Sequence, residues 1–235
     1  MFRPILFAAL AWLGSGFAEG EPPATPAIKK IGEHLYSLGE IKFDAQSREI
    51  RFPVVVNMRE GGPIEYVLVR ETGKVHESIF VTAISPMELQ IVLKLLKYQG
   101  GFGDIFNKLL APEALAAEGG SAADRGEGVD ASFLVDGAAN GSEVAISEFV
   151  VDGGSAEAMP PGPWIYTGSV VEGGTFMAEA EGSMFAVYLD HLALFNCNRE
   201  GADDDDRWGA RTSAIPEIGT KGVFLIRRAK KDVTK

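Results

Sequence analysis

Between Ile50 and Tyr98 the spacing of apolar and polar residues changes period. Ile50–Asn57 is a valine-rich apolar run, and Ile64–Glu71 and Val75–Thr82 alternate or nearly so, which predicts three β-strands. Gly61-Gly62-Pro63 separates the first two and Glu71-Thr72-Gly73-Lys74 the second two. Glycine reaches positive φ without a Cβ clash, so both breaks read as turns of tight antiparallel hairpins. After Ser85 the period becomes helical. Serine as N-cap, Pro86 at the first helical position and Glu88 three residues after the cap form a capping box. Leu89, Val92 and Leu96, with Ile91, Leu95 and Tyr98 beside them, continue a helix that Gly100-Gly101 stops. The expected unit is a three-stranded meander with this helix on one face.

If Thr72-Gly73 is a two-residue loop, the pairing fixes the faces of the second hairpin. Ile64, Tyr66, Leu68, Ile79 and Val81 share one face with Glu77, while Glu65, Val67, Val69, His76, Ser78 and Phe80 share the other. A carboxylate on an apolar face is costly unless it is paired. Either Glu77 meets Arg70 diagonally near the hairpin tip, or it is a functional carboxylate held in a cleft.

Outside this block the pattern predicts shorter elements. His34–Leu38 and Glu40–Phe43 suggest an opening strand pair, and Asp104–Leu110 a short helix. Residues 111–130 are rich in Ala, Gly and Glu and read as a mobile surface loop. Strands follow at Ala131–Val135 and Glu143–Val151 around the turn Asp136–Gly141. Pro160–Pro163 makes a bend; Trp164–Ser169 and Thr175–Ala180 form a hairpin around Glu172-Gly173-Gly174. Ser183–Leu189 is another strand, Asp190–Phe195 a helical turn, and Val223–Ile226 closes the sheet. No long internal repeat is visible. The predicted class is α+β: a mostly antiparallel, twisted sheet or partly closed barrel with one main helix packed on it.

The chain ends look different from the fold. Residues 1–18 read as a signal peptide, with Arg3, the apolar run Ile5–Leu13 and the small-x-small site Gly16-Phe17-Ala18. Residues 19–30 form a Pro-rich linker, 31–228 a single domain and 229–235 a basic tail. The apolar run is too short for an ordinary transmembrane helix, and no other stretch is long and apolar enough. The expectation is an exported protein, periplasmic or extracellular, with an envelope protein or a small ligand as its partner. The formal net charge is −11, one unit more negative once Arg3 leaves with the leader, which disfavours nucleic acid and anionic membrane surfaces. Cys197 is the only cysteine, so there is no intramolecular disulfide, Cys-rich zinc site or iron–sulfur cluster.

The candidate chemistry is scattered. Glu179 and Glu181 are two apart and on a strand would share a face, as an acid–base pair or as a solvated surface. Asp203, Asp204, Asp205 and Asp206 form an oxygen-rich run of the kind that binds calcium. Counted from Asn196, however, the twelfth position of an EF-hand would be Arg207 rather than glutamate. His76-Glu77 and Asp190-His191 could hold zinc only if the fold brings them together. Gly182-Ser183-Met184-Phe185 lacks the second glycine of a nucleophile elbow, and the Gly-rich pieces lack a phosphate-binding setting. Trp164 and Trp208 are the aromatic candidates for a binding patch.

The stretch VVVNMREGGPIEYVLVRETGKVHESIFVT, then SPMELQIVLKLL, WIYTGS, FMAEAEGS and a late Asp–Trp segment resemble the YdjY-domain family of exported bacterial proteins. The similarity runs from about Ile41 to Ile226, and the GKVHES and WIYTGS/FMAEAEG pieces are its most specific parts. It implies a single exported domain and no particular reaction. The motif positions it marks are Asn57, Glu65, His76, Glu77, Ser78, Gly168, Ser169, Glu179, Gly182, Asn196 and Trp208. The leading expectation is a non-catalytic binding or interaction module of the cell envelope. Its polar groove would be built from Asn57, Glu65, His76, Glu77, Ser78, Glu179, Glu181 and Asn196. The alternative is a metal-dependent hydrolytic enzyme using His76, Glu77 and nearby carboxylates.

Overall fold

The computed structural model describes residues 27–101, 126–135 and 143–230. The predicted leader, the Asp104–Leu110 helix, most of the 111–130 loop and the Asp136–Gly141 turn lie outside the described residues.

The expected opening strand pair forms, and the end of the expected linker adds a further short strand ahead of it. β1 (Lys29–Lys30), β2 (Leu35–Leu38) and β3 (Ile41–Asp44) make an antiparallel meander that leads into β4 (Ile50–Val56). β4 alternates strictly: Ile50, Phe52, Val54 and Val56 are buried, while Arg51 and Pro53 face out. On one side β4 pairs with the long strand β16 (Lys221–Arg228), which pairs in turn with β7 (Gly128–Val135). Val223–Ile226, expected to close the sheet, instead lies inside it, in β16 between β4 and β7.

The remaining strands overturn the expected α+β sheet. β7 continues to β10 (Trp164–Tyr166), then β14 (Phe195–Asn196), β13 (Ser183–Ala186), β5 (Tyr66–Arg70) and β6 (Ser78–Thr82), and β6 pairs back onto β4. Eight strands thus close a barrel, and the protein is mostly β rather than a sheet with one main helix. Short strands stand outside the ring: β8 (Val144–Ala145) on β7, β9 (Val150–Asp152) with β15 (Trp208–Ala210), and β11 (Val171–Glu172) with β12 (Thr175–Phe176). Phe52, Phe80, Phe133, Phe185, Phe195 and Phe224 are buried in one cluster with Trp164, and the Phe185 and Phe195 rings stack at 4.2 Å. The interior is therefore a packed core and not a channel.

The predicted hairpin between residues 64–71 and 75–82 fails because β5 and β6 are parallel, with Tyr66 opposite Ser78 and Leu68 opposite Phe80. The chain turns after Arg70, runs back through the 3-10 turn Val75–Glu77 and re-enters beside the start of β5. Gly73 does mark a turn, but its role is close approach: a Cβ there would meet the Glu181 carbonyl at 2.7 Å. His76 and Glu77 consequently lie on the crossover and not in a strand.

A second crossover of the same kind, residues 187–194, joins the parallel pair β13 and β14. The two arrangements are copies of one motif. β6 sits between β4 and β5, and β14 sits between β10 and β13. The amides of Asn57 and Met58 both donate to the Ile79 carbonyl, as those of Thr167 and Gly168 do to Leu194. Arg70 N–H donates to Gly182 O, and Val187 N–H to Glu65 O. Where the halves meet, Leu68 lies opposite Phe185, and the flanking pairs Tyr66–Ala186 and Val69–Ser183 exchange under a two-fold rotation. The barrel core is thus internally duplicated, although no repeat is legible in the sequence.

The helix α1 (Pro86–Leu95) forms as its cap predicts, with Ser85 Oγ accepting the Glu88 N–H at 3.2 Å. Leu89, Val92 and Leu93 are buried, whereas Ile91 and Leu95 are exposed. The stretch 175–180, expected as a strand, instead bends after β12 into the short helix α2 (Met177–Glu181), which ends at Gly182 with φ 71°.

Candidate functional site

The end of β4 is tied to the first crossover by one side chain. Asn57 Nδ2 donates to the carbonyls of Val75 at 2.6 Å and Ser78 at 2.8 Å. These bonds hold the crossover to the end of β4, and an open cleft of about 610 Å³ lies beside them. Asn57, Arg59, Val75, His76, Glu217 and Ile218 are among the residues that line it. Arg59 ties the 57–60 stretch to residues 215–217 by donating to Ile215 O at 3.1 Å and to Glu217 Oε1 at 2.5 Å. Ile218 is 66% exposed and Glu217 81% exposed at its side chain, so the rim is open to solvent.

His76 projects from the same rim with a 74% exposed side chain, its Nε2 3.1 Å from Glu77 Oε1. Glu77 therefore pairs with its neighbour and not with Arg70. Of the residues picked out by the sequence, Asn57 and His76 share this cleft, and the others are placed elsewhere. Ser78 is buried and donates to Phe80 O at 2.9 Å. Glu65 takes an ion pair from Lys74 at 2.9 Å, while Tyr66 OH donates to Asp190 Oδ2 at 2.8 Å. Burial first, and the Asp190 charge second, push the Tyr66 phenol well above its ordinary range. Asn196 is buried in the second motif, where Nδ2 donates to Thr167 Oγ1 and Asp190 O, both at 2.9 Å.

Glu179 belongs to a different structure. One of its oxygens accepts from Ser85 Oγ at 2.6 Å and from the Met87 amide at 2.9 Å, and the other from Arg70 at 2.5 Å. It caps α1 and ties that helix to β5. Nearby Glu88 is held above its ordinary value by burial and then by the Glu179 charge. Glu179 and Glu181 do not form the same-face pair that a strand would give, because on α2 residues two apart diverge.

The metal expectations find no support. Asp203, Asp204, Asp205 and Asp206 form an exposed turn, in which Asp204 Oδ1 accepts the Asp206 amide at 3.1 Å. His191 Nε2 lies 3.7 Å from Glu172 Oε1 and so has a different acidic neighbour from His76. Among the described residues no three His, Cys, Asp or Glu side chains are grouped as calcium or zinc ligands would be. The aromatic patch also falls away, because Trp164 and Trp208 are both 1% exposed. Cys197 is buried, and burial pushes its thiol up.

Sequence reasoning missed Arg59, Glu217 and Ile218. The only signal was the polar insert Met58-Arg59-Glu60 ahead of Gly61-Gly62-Pro63; nothing linked it to residues 217–218, which the barrel brings alongside. Comparison with family models, with curated proteins and with solved structures finds no match. No helix among the described residues is long and apolar enough to cross a membrane.

Proposed function

We propose that this chain is an exported, non-catalytic binding module of the bacterial cell envelope. It holds an extended segment of a partner protein in the cleft at the end of β4. The observation that carries the reading is the cleft itself, assembled from three distant stretches of chain. Charges of both signs, Arg59 with Glu217 and Glu60, line it together with the His76 imidazole and the exposed Ile218. A peptide, with alternating polar and apolar groups, matches such a surface better than a small apolar molecule does. The volume lies within the range of ordinary ligand sites, roughly 300–1,000 Å³. The leader-like residues 1–18 support export.

The test is an array of overlapping peptides from envelope proteins, probed with the parent chain and with Ile218→Asp and Arg59→Ala. Ile218 is exposed and Arg59 half-buried, so thermal unfolding of each variant is measured beside its binding. Peptides that bind the parent should lose about tenfold affinity in either variant, the scale of one interface contact of 1–2 kcal/mol. Unchanged binding in both variants, or cleavage of the bound peptide, would overturn the proposal.

A further inference from the structure

The duplicated motif carries a second cleft, at the position in β10 that corresponds to the end of β4. Thr167, Gly168 and Ser169 line it, as Asn57, Met58 and Arg59 line the first. Its volume is about 410 Å³. Gly168 and Ser169 are both left-handed, at φ 86° and 58°, and this reversed backbone leads the chain out around the cleft toward β11. α1 provides the opposite wall.

The chemistry of this lining differs from that of the first cleft. Met87, Val171 and Phe176 give it apolar sides, with Val171 68% exposed. Among the described residues no carboxylate lines it, in a chain whose formal net charge is −11. Most of its polar groups are already engaged. Thr167 Oγ1 bonds Ala193 O and Leu194 O, Ser169 Oγ donates to Leu192 O and accepts the Ala178 amide, and Gln90 Oε1 accepts Tyr166 OH at 2.6 Å. Two donors stay available. Lys94 Nζ stands 5.4 Å over the Tyr166 ring and has no carboxylate partner among the described residues. The Gln90 amide makes only a long 3.5 Å contact to Gly168 O. A site that offers a cation and an amide donor between apolar walls, with no carboxylate among its described lining residues, favours an acceptor-only group on an apolar body.

We infer that this cleft binds an apolar carboxylate, with Lys94 and Gln90 meeting the carboxylate and Met87, Val171 and Phe176 holding the body. Such a group comes either from a free organic acid or from the C-terminus of a peptide ending in an apolar residue. The site is independent of the cleft beside His76, and its test reads different residues.

The experiment is an amide-resolved NMR titration of the full chain with 3-phenylpropanoate and with N-acetyl-Leu-Phe, each beside its carboxamide. Shifts should centre on Gln90, Lys94 and residues 167–171. Each carboxylate should bind at least about tenfold more tightly than its amide, the scale of a charge-assisted hydrogen bond. Lys94→Met, which keeps the stem and removes the charge, should abolish that preference. Val171→Asp, at an exposed position, should weaken both carboxylates. Tighter binding of 3-phenylpropanoate assigns the free acid as the source, and tighter binding of the dipeptide assigns the peptide end. Equal affinity for acid and amide, a preference that survives Lys94→Met, shifts centred elsewhere, or no binding at millimolar concentration would each overturn the inference.

Discussion

Glu179 shows how far a single residue can be read from its neighbours in sequence. Its carboxylate looked like half of an acid–base pair, yet it accepts from Ser85 Oγ, from the Met87 amide and from Arg70. Removing it leaves the Met87 amide in the first turn of α1 without its acceptor and Arg70 without its carboxylate partner. Glu179→Ala should cost about 2 kcal/mol in urea unfolding, most of it from the cap, since an exposed ion pair adds only about 0.2–1 kcal/mol. A loss near zero would mean that the cap is not formed. The Ser85-Pro86-Met87-Glu88 cap was legible because capping is local; the carboxylate that completes it comes from α2, far along the chain, and left no mark in that stretch. His76 and Glu77 were likewise singled out by identity, but the register argument set them on a strand, whereas they ride the crossover beside the cleft.

At the scale of elements, strand existence was more legible than strand pairing. β2, β3, β4 and β16 follow from apolar runs and turn residues, and their neighbours in space are near in sequence or well patterned. β10 and β13 fall within the runs expected as strands, 164–169 and 183–189, but their pairing with β7 and β5 was not visible, and β14, two residues long, is too short to carry a period. The parallel return from β5 to β6 was misread because a glycine turn signals a change of direction without saying which strand lies on the other side. The glycines at the junction now make a sharper statement. Gly182 has φ 71°, and a Cβ there would sit 3.0 Å from Gly73 Cα, whereas Gly174, at φ 85°, has nothing within 4 Å. Gly174→Ala should cost only the backbone penalty of about 1 kcal/mol, and Gly182→Ala about 2–3 kcal/mol as the contact adds to it. Equal losses in thermal or urea unfolding would mean that the first crossover does not pack against the α2–β13 junction there.

The whole molecule is a closed barrel with a duplicated core and one open cleft beside each copy of the motif. Closure matters for function in a direct way. It fixes the end of β4, the first crossover and residues 217–218 relative to one another, so that stretches about 140 residues apart form one surface. That surface could not be read from the chain, since it exists only once β16 has paired with β4. The account turns on whether it grips a partner peptide reversibly. The most direct measurement is an amide-resolved NMR titration of the parent chain with the tightest-binding array peptide, with mass analysis of the peptide recovered at the end. Shifts concentrated on residues 57–60, 75–76 and 217–218, with the peptide returned intact, are the expected result. Shifts centred on other residues, or a peptide returned cut, would contradict it.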